Sequence, residues 1–76
     1  MTPPRNQREF ASDGIVWTVK RKSGYHCGLQ FTSADGRECF LPIDEEFLPG
    51  DVWLQNLGKK ELRELLRRAE VEQKTT

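Results

Sequence analysis

Apolar and polar residues alternate along three runs of the chain. Ile15, Trp17 and Val19 occupy every second position of the first, Cys27, Leu29 and Phe31 of the second, and Cys39, Leu41 and Ile43 of the third. Side chains two apart on a strand share a face, so these nine positions read as the buried face of an antiparallel sheet. Turn-forming residues separate the runs. Ala34-Asp35-Gly36, taken as a three-residue loop, sets Phe31 opposite Cys39, Leu29 opposite Leu41 and Cys27 opposite Ile43. Lys22-Ser23-Gly24, read the same way, sets Val19 opposite Cys27, Trp17 opposite Leu29 and Ile15 opposite Phe31. A slip of one residue would put apolar against polar throughout. A two-residue Asp13-Gly14 loop pairs Phe10 with Trp17 and adds a short fourth strand from Arg8 to Ala11.

The period then changes. Leu62, Leu65, Leu66 and Ala69 recur at helical spacing, with Arg63, Glu64, Arg67, Arg68 and Glu70 between them. Gly58 suits the N-cap, which puts Glu61 at the third helical position, where a carboxylate complements the helix dipole. Leu57 and Leu62 form a hydrophobic staple across that cap, while Lys59 and Lys60 in the first turn oppose the dipole. Between sheet and helix, Asp44 to Asn56 holds Phe47, Leu48, Val52, Trp53 and Leu54 around a Pro49-Gly50 turn. That is too apolar for a solvated loop, and it predicts an irregular or one-turn-helical connector capping the core.

The predicted fold is therefore α+β: a three- or four-stranded antiparallel meander (8–11, 15–22, 25–33, 37–43) with one C-terminal helix (59–71) on its inner face. Residues 1–7 read as a loose tail, 8–72 as one small domain and 73–76 as a fraying end. Trp17, Leu29, Phe31, Leu41, Leu62, Leu65 and Leu66 are expected to pack together. Truncation of Leu65 to Ala is expected to cost about 2–5 kcal/mol. With 76 residues, such a domain has little stability in reserve.

Charge and chemistry narrow the function classes. Lys plus Arg and Asp plus Glu number 12 each, which weakens a nucleic-acid reading without removing a local basic patch. No apolar run is long enough to span a bilayer, and Met1 to Arg8 lacks the hydrophobic stretch of a signal peptide, so a cytoplasmic location is expected and no membrane partner. Cys27 and Cys39 face inward but lie four residues out of register, about 14 Å along the strands. A disulfide needs Cα atoms within about 7 Å, so both thiols are expected reduced, buried and slow to react. His26 cannot activate Cys27, because strand neighbours point to opposite faces. One His and two separated Cys lack metal-ligand spacing, and Asp44-Glu45-Glu46 reads as a solvated acidic turn. No catalytic residue, cofactor or metal is expected.

Two surfaces remain. Lys20, Arg21, Lys22, Tyr25 and His26 place basic charge beside an aromatic ring on one hairpin tip, which suits phosphate contact and base stacking. On the outer sheet face the loop-derived register lines up Val16, Gln30 and Phe40 in one row, beside Thr18, Gly28 and Pro42. An aromatic anchor in such a row, unless the connector covers it, is the centre of a protein-binding surface. The expected function is thus a non-enzymatic protein-interaction or accessory module, contacting another protein through Phe40, Gln30, Val16 and Tyr25. The alternative is a weak nucleic-acid-binding domain using Lys20, Arg21, Lys22 and Tyr25.

Overall fold

The computed structural model describes residues 6–48 and 50–74; residues 1–5 of the expected tail, Pro49 of the expected turn and residues 75–76 lie outside them. Four strands, β1 (Gln7–Ser12), β2 (Ile15–Lys22), β3 (Gly28–Ser33) and β4 (Glu38–Pro42), form one antiparallel sheet in the order β1-β2-β3-β4. A 3₁₀ turn at Glu45–Phe47 and a short helix α1 (Asp51–Asn56) make the connector. The long helix α2 (Lys59–Lys74) follows and lies against β4 and β1. The fold is α+β, as the alternation predicted.

The first hairpin closes through Asp13-Gly14, pairing Phe10 with Trp17 and Ser12 with Ile15. Both turn residues have positive φ, 54° at Asp13 and 78° at Gly14. That conformation matches the right-handed twist of the flanking strands, and Asp-Gly tolerates it best. The third hairpin also holds the expected register, with Phe31 opposite Cys39 and Leu29 opposite Leu41. Ser33 seals it: its N–H donates to the Arg37 carbonyl at 2.9 Å and its hydroxyl accepts the Arg37 N–H at 2.8 Å.

The second hairpin differs from the expectation. Val19 faces Phe31 and Trp17 faces Ser33, where the Lys22-Ser23-Gly24 loop would have set them against Cys27 and Leu29. The connection is residues 23–27, with a turn at Tyr25–His26, and β3 starts at Gly28 rather than at 25. The two registers differ by four residues, an even number, so every inward residue stays inward. Alternation of period two fixes which face a residue takes and leaves such even shifts to the loop.

The inner face of the sheet and both helices enclose the core. Phe10, Trp17, Val19, Leu29, Phe31, Leu54, Leu62, Leu66 and Ala69 are buried together. Phe10 and Phe31 meet edge-to-face, centroids 6.2 Å apart, the arrangement the ring quadrupoles favour. Leu41 and Leu65, expected in the centre, are half-buried at its margin, as are Ile15, Cys39 and Ile43. Leu54 is the connector's contribution, completely buried from a helix of six residues.

The start of α2 follows the predicted cap. The Glu61 carboxylate accepts the Gly58 N–H at 3.2 Å, and the Leu62 N–H donates to the Gly58 carbonyl at 3.0 Å. The first bond serves one of the orphan donors of the helix start, and the second opens the helical ladder. The helix extends three residues beyond 71, to Lys74.

Arg8 joins β1 to α1. Its Nη1 lies 3.1 Å from the Leu54 carbonyl oxygen, 2.8 Å from that of Gln55 and 3.0 Å from that of Leu57. A cation here meets the negative end of the short helix, where it adds to the Leu57 N–H on the Leu54 carbonyl and serves the Gln55 and Leu57 carbonyls. Arg8→Met keeps the aliphatic stem and removes these charge-assisted bonds. It is expected to lower unfolding free energy by about 1.5–3 kcal/mol, read from the urea midpoint. An unchanged midpoint would show that the carbonyls are equally well served by water.

Candidate functional site

Each strand sends alternate side chains to the outer face, and neither helix buries a residue there. The outer rows follow from the observed register. Gln7, Lys20, Gln30 and Phe40 form one row, and Glu9, Thr18, Thr32 and Glu38 the next. Lys22, Gly28 and Pro42 form a third. Gln30 and Phe40 are adjacent as expected, but Val16 is not in their row. It pairs with Ala11, and its carbonyl accepts the Ala34 N–H at 2.9 Å. The four-residue shift of the β2–β3 register moves it to the far end of the face, where it stays 48% exposed.

Phe40 is half-buried. Its ring lies over Gly28 of the neighbouring strand: a Cβ built on Gly28 would sit 2.9 Å from the ring edge. The missing side chain of Gly28 thus makes the seat for the aromatic ring. Phe47 of the connector, a candidate to cover it, is itself 70% exposed.

The basic hairpin divides between the two faces. Lys20 and Lys22 belong to the outer rows and are exposed, whereas Arg21 lies in register with Leu29 on the side of Val19. Tyr25 at the tip is 98% exposed and meets His26 edge-to-face, centroids 5.2 Å apart. The three cations therefore do not form one patch, and Glu9 and Glu38 share the outer face with the two lysines. The one-residue spacing of Lys20-Arg21-Lys22 already carried this division, since consecutive strand residues alternate.

Both thiols are free, as expected, but half-buried rather than buried. The Cys27 thiol donates to the Ile43 carbonyl at 2.9 Å. Cys39 opens on a cavity of about 250 Å³ that Trp17, Arg37, Glu38, Glu70 and Gln73 also line. Burial, and then the Glu70 carboxylate, push the Cys39 thiol above its ordinary range against the opposing pull of Arg37. It is therefore a poor nucleophile at neutral pH. Among the described residues no cluster of three or more His, Cys, Asp or Glu side chains could hold a metal ion. Among them, too, no helix is long and apolar enough to cross a membrane.

The β3–β4 turn carries a polar network that residue patterns did not single out. Ser33 is buried, and its hydroxyl donates to the Asp35 carboxylate. Arg37 pairs with Asp35, Nε to Oδ2 at 3.2 Å, and its guanidinium stands 5.2 Å from the centroid of the Trp17 ring. The Ser33 hydrogen bond, then Arg37, hold the Asp35 carboxyl below its ordinary value. A lowered carboxyl contributes stability above its unfolded pKa and loses it as pH falls through the folded one. Asp35→Asn is thus expected to flatten the stability profile only in acid, below about pH 4. Profiles of the two proteins that stay parallel through that range would contradict this.

Comparison of the chain with protein-family models, with curated proteins and with solved structures finds no match.

Proposed function

We propose that this domain is a non-enzymatic protein-interaction module that presents its outer sheet face, centred on Phe40 and Gln30 with Tyr25 at the flanking hairpin tip. The observation that carries the reading is the one-sidedness of the sheet. The helices put Leu54, Leu62, Leu66 and Ala69 into the inner core, while the outer face holds an aromatic ring seated on Gly28, with half-buried Gln30 beside it and exposed Lys20, Thr32 and Glu38 nearby. An aromatic anchor inside a polar rim is the usual anatomy of a protein contact surface. The test is an affinity capture from the native cell extract with the wild-type domain and with Gln30→Glu/Phe40→Ser, read by mass spectrometry. The reading expects a protein retained by the wild type and lost by the variant. Identical retention by both would place the contact elsewhere.

Nucleic-acid binding is the second reading, supported by Lys20 and Lys22 on the same face beside exposed Tyr25. Two lysines and one ring make a small electrostatic footprint, and Glu9 and Glu38 oppose it. Titration of a labelled single-stranded oligonucleotide separates the readings. Affinity that falls steeply with salt and disappears in Lys20→Ser/Lys22→Ser would favour nucleic acid.

A further inference from the structure

The two edges of the sheet are not alike. Along β1 the backbone groups that point away from β2 belong to Gln7, Glu9 and Ala11, because Arg21 donates to Asn6 and sets the alternation. Side chains of the helices take two of this edge's carbonyls: Gln55 Nε2 donates to the Gln7 carbonyl at 2.9 Å, and Arg63 Nε donates to the Ala11 carbonyl at 3.0 Å. Along β4 the bonds Ser33 N–H to Arg37 C=O and Ile43 N–H to Cys27 C=O show that residues 37, 39, 41 and 43 pair inward with β3. Glu38, Phe40 and Pro42 therefore point their backbone groups outward. Among the described residues no side chain is bonded to them.

We propose that this β4 edge pairs, antiparallel, with the β4 edge of a second copy of the chain, on a two-fold axis through Phe40. The inference rests on the protein-interaction reading and names the partner. About that axis every outward N–H finds an acceptor, and the Glu38 carbonyl is left to solvent. Each Phe40 N–H meets the Phe40 carbonyl of the other copy, and each Glu38 N–H meets the other Pro42 carbonyl. Pro42 has no N–H, so it needs no acceptor at the end of the ladder. The facing pairs are Arg37 with Ile43, Glu38 with Pro42, Cys39 with Leu41 and Phe40 with itself, and none sets like charges together. Half-buried Phe40, Cys39 and Leu41 would each be covered further. A net charge of zero adds no general repulsion between copies. A two-fold contact uses the β4 edge of both copies, so it is isologous and closes at two, and the β1 edge, with two of its carbonyls taken by Gln55 and Arg63, is the poorer template for a further strand.

The experiment is sedimentation equilibrium of the full chain from micromolar to millimolar concentration. The wild type is expected to follow a monomer–dimer equilibrium with no larger species. Phe40→Lys and Phe40→Asp are each expected to be monomeric, since the axis brings two like charges together. Their equimolar mixture is expected to regain a dimer, because residue 40 faces only itself. Glu38→Pro removes an outward N–H and an exposed side chain, so it serves even if the Phe40 variants unfold. Its dimer is expected to weaken at least about tenfold, because two symmetry-related hydrogen bonds are lost. A wild type monomeric at millimolar concentration overturns the self-pairing, as does a dimer of unchanged strength in Glu38→Pro. Neither result touches the capture experiment above, which tests the interaction reading with other proteins.

Discussion

Gly28→Ala is expected to destabilise the domain by about 3 kcal/mol or more, from overpacking and backbone strain together. Gly28 has φ of 151°, which L side chains rarely adopt. A Cβ there would collide with the Leu41 carbonyl oxygen and lie 3.0 Å from the Pro42 Cα. Both obstacles are backbone of β4, so no side-chain rotation relieves them. The Phe40 ring, 2.9 Å away, would also be pushed from its seat. The substitution thus acts on the β3–β4 pairing and on the candidate site at once. Gly50→Ala is the control: nothing lies within 4 Å of a Cβ at that position. As Gly50 caps α1, its loss is expected to stay under about 1 kcal/mol. Urea denaturation of the two variants measures the contrast, and equal midpoints would contradict the close approach of the strands.

Leu62→Ala is expected to cost about 2–5 kcal/mol, against a stability of about 3–5 kcal/mol for a domain of this size. Leu62 has no exposed surface and sits in the core cluster at the first turn of α2, so its removal leaves a cavity that the rigid sheet cannot fill. Most of the protein should be unfolded at 37 °C, visible as lost ellipticity and a non-cooperative thermal trace. Leu65→Ala should be milder, because Leu65 is half-buried at the margin of the core. A Leu65 variant as damaged as the Leu62 variant would show that α2 is rotated about its axis.

The helix and the inner face were legible because they rest on periodicity. Leu62, Leu66 and Ala69 mark one stripe, and Trp17, Leu29 and Phe31 one strand face, whatever the loops do. Rotation within that stripe was not legible: Leu65 carries the same hydrophobic signal as Leu62, and only the folded core, which buries Leu62 and leaves Leu65 at its margin, separates them. The Asp13-Gly14 and Ala34-Asp35-Gly36 turns were legible because Asp and Gly there meet a definite dihedral requirement. The β2–β3 connection was not. Ser23-Gly24 and Tyr25–His26 both tolerate a turn, and registers four residues apart satisfy the alternation equally. That ambiguity moved Val16 out of the candidate row and brought Lys20 beside Gln30. Arg8 was hidden for a different reason. Its partners are backbone carbonyls 46 to 49 residues away, and no side-chain pattern reports them. Gly28 did carry a signal, since an isolated glycine inside a strand pattern marks a close backbone approach.

The outer face exists in the stated form only if β2 and β3 pair as described, and nuclear Overhauser contacts between Hα protons measure this directly. Val19 and Phe31 form a non-hydrogen-bonded pair, as do Trp17 and Ser33, with Cα atoms about 4.5 Å apart. Strong Hα–Hα contacts are predicted for these two pairs. A Val19–Cys27 or Trp17–Leu29 contact in their place would contradict the register, and with it the row of Lys20, Gln30 and Phe40 on which the functional reading stands.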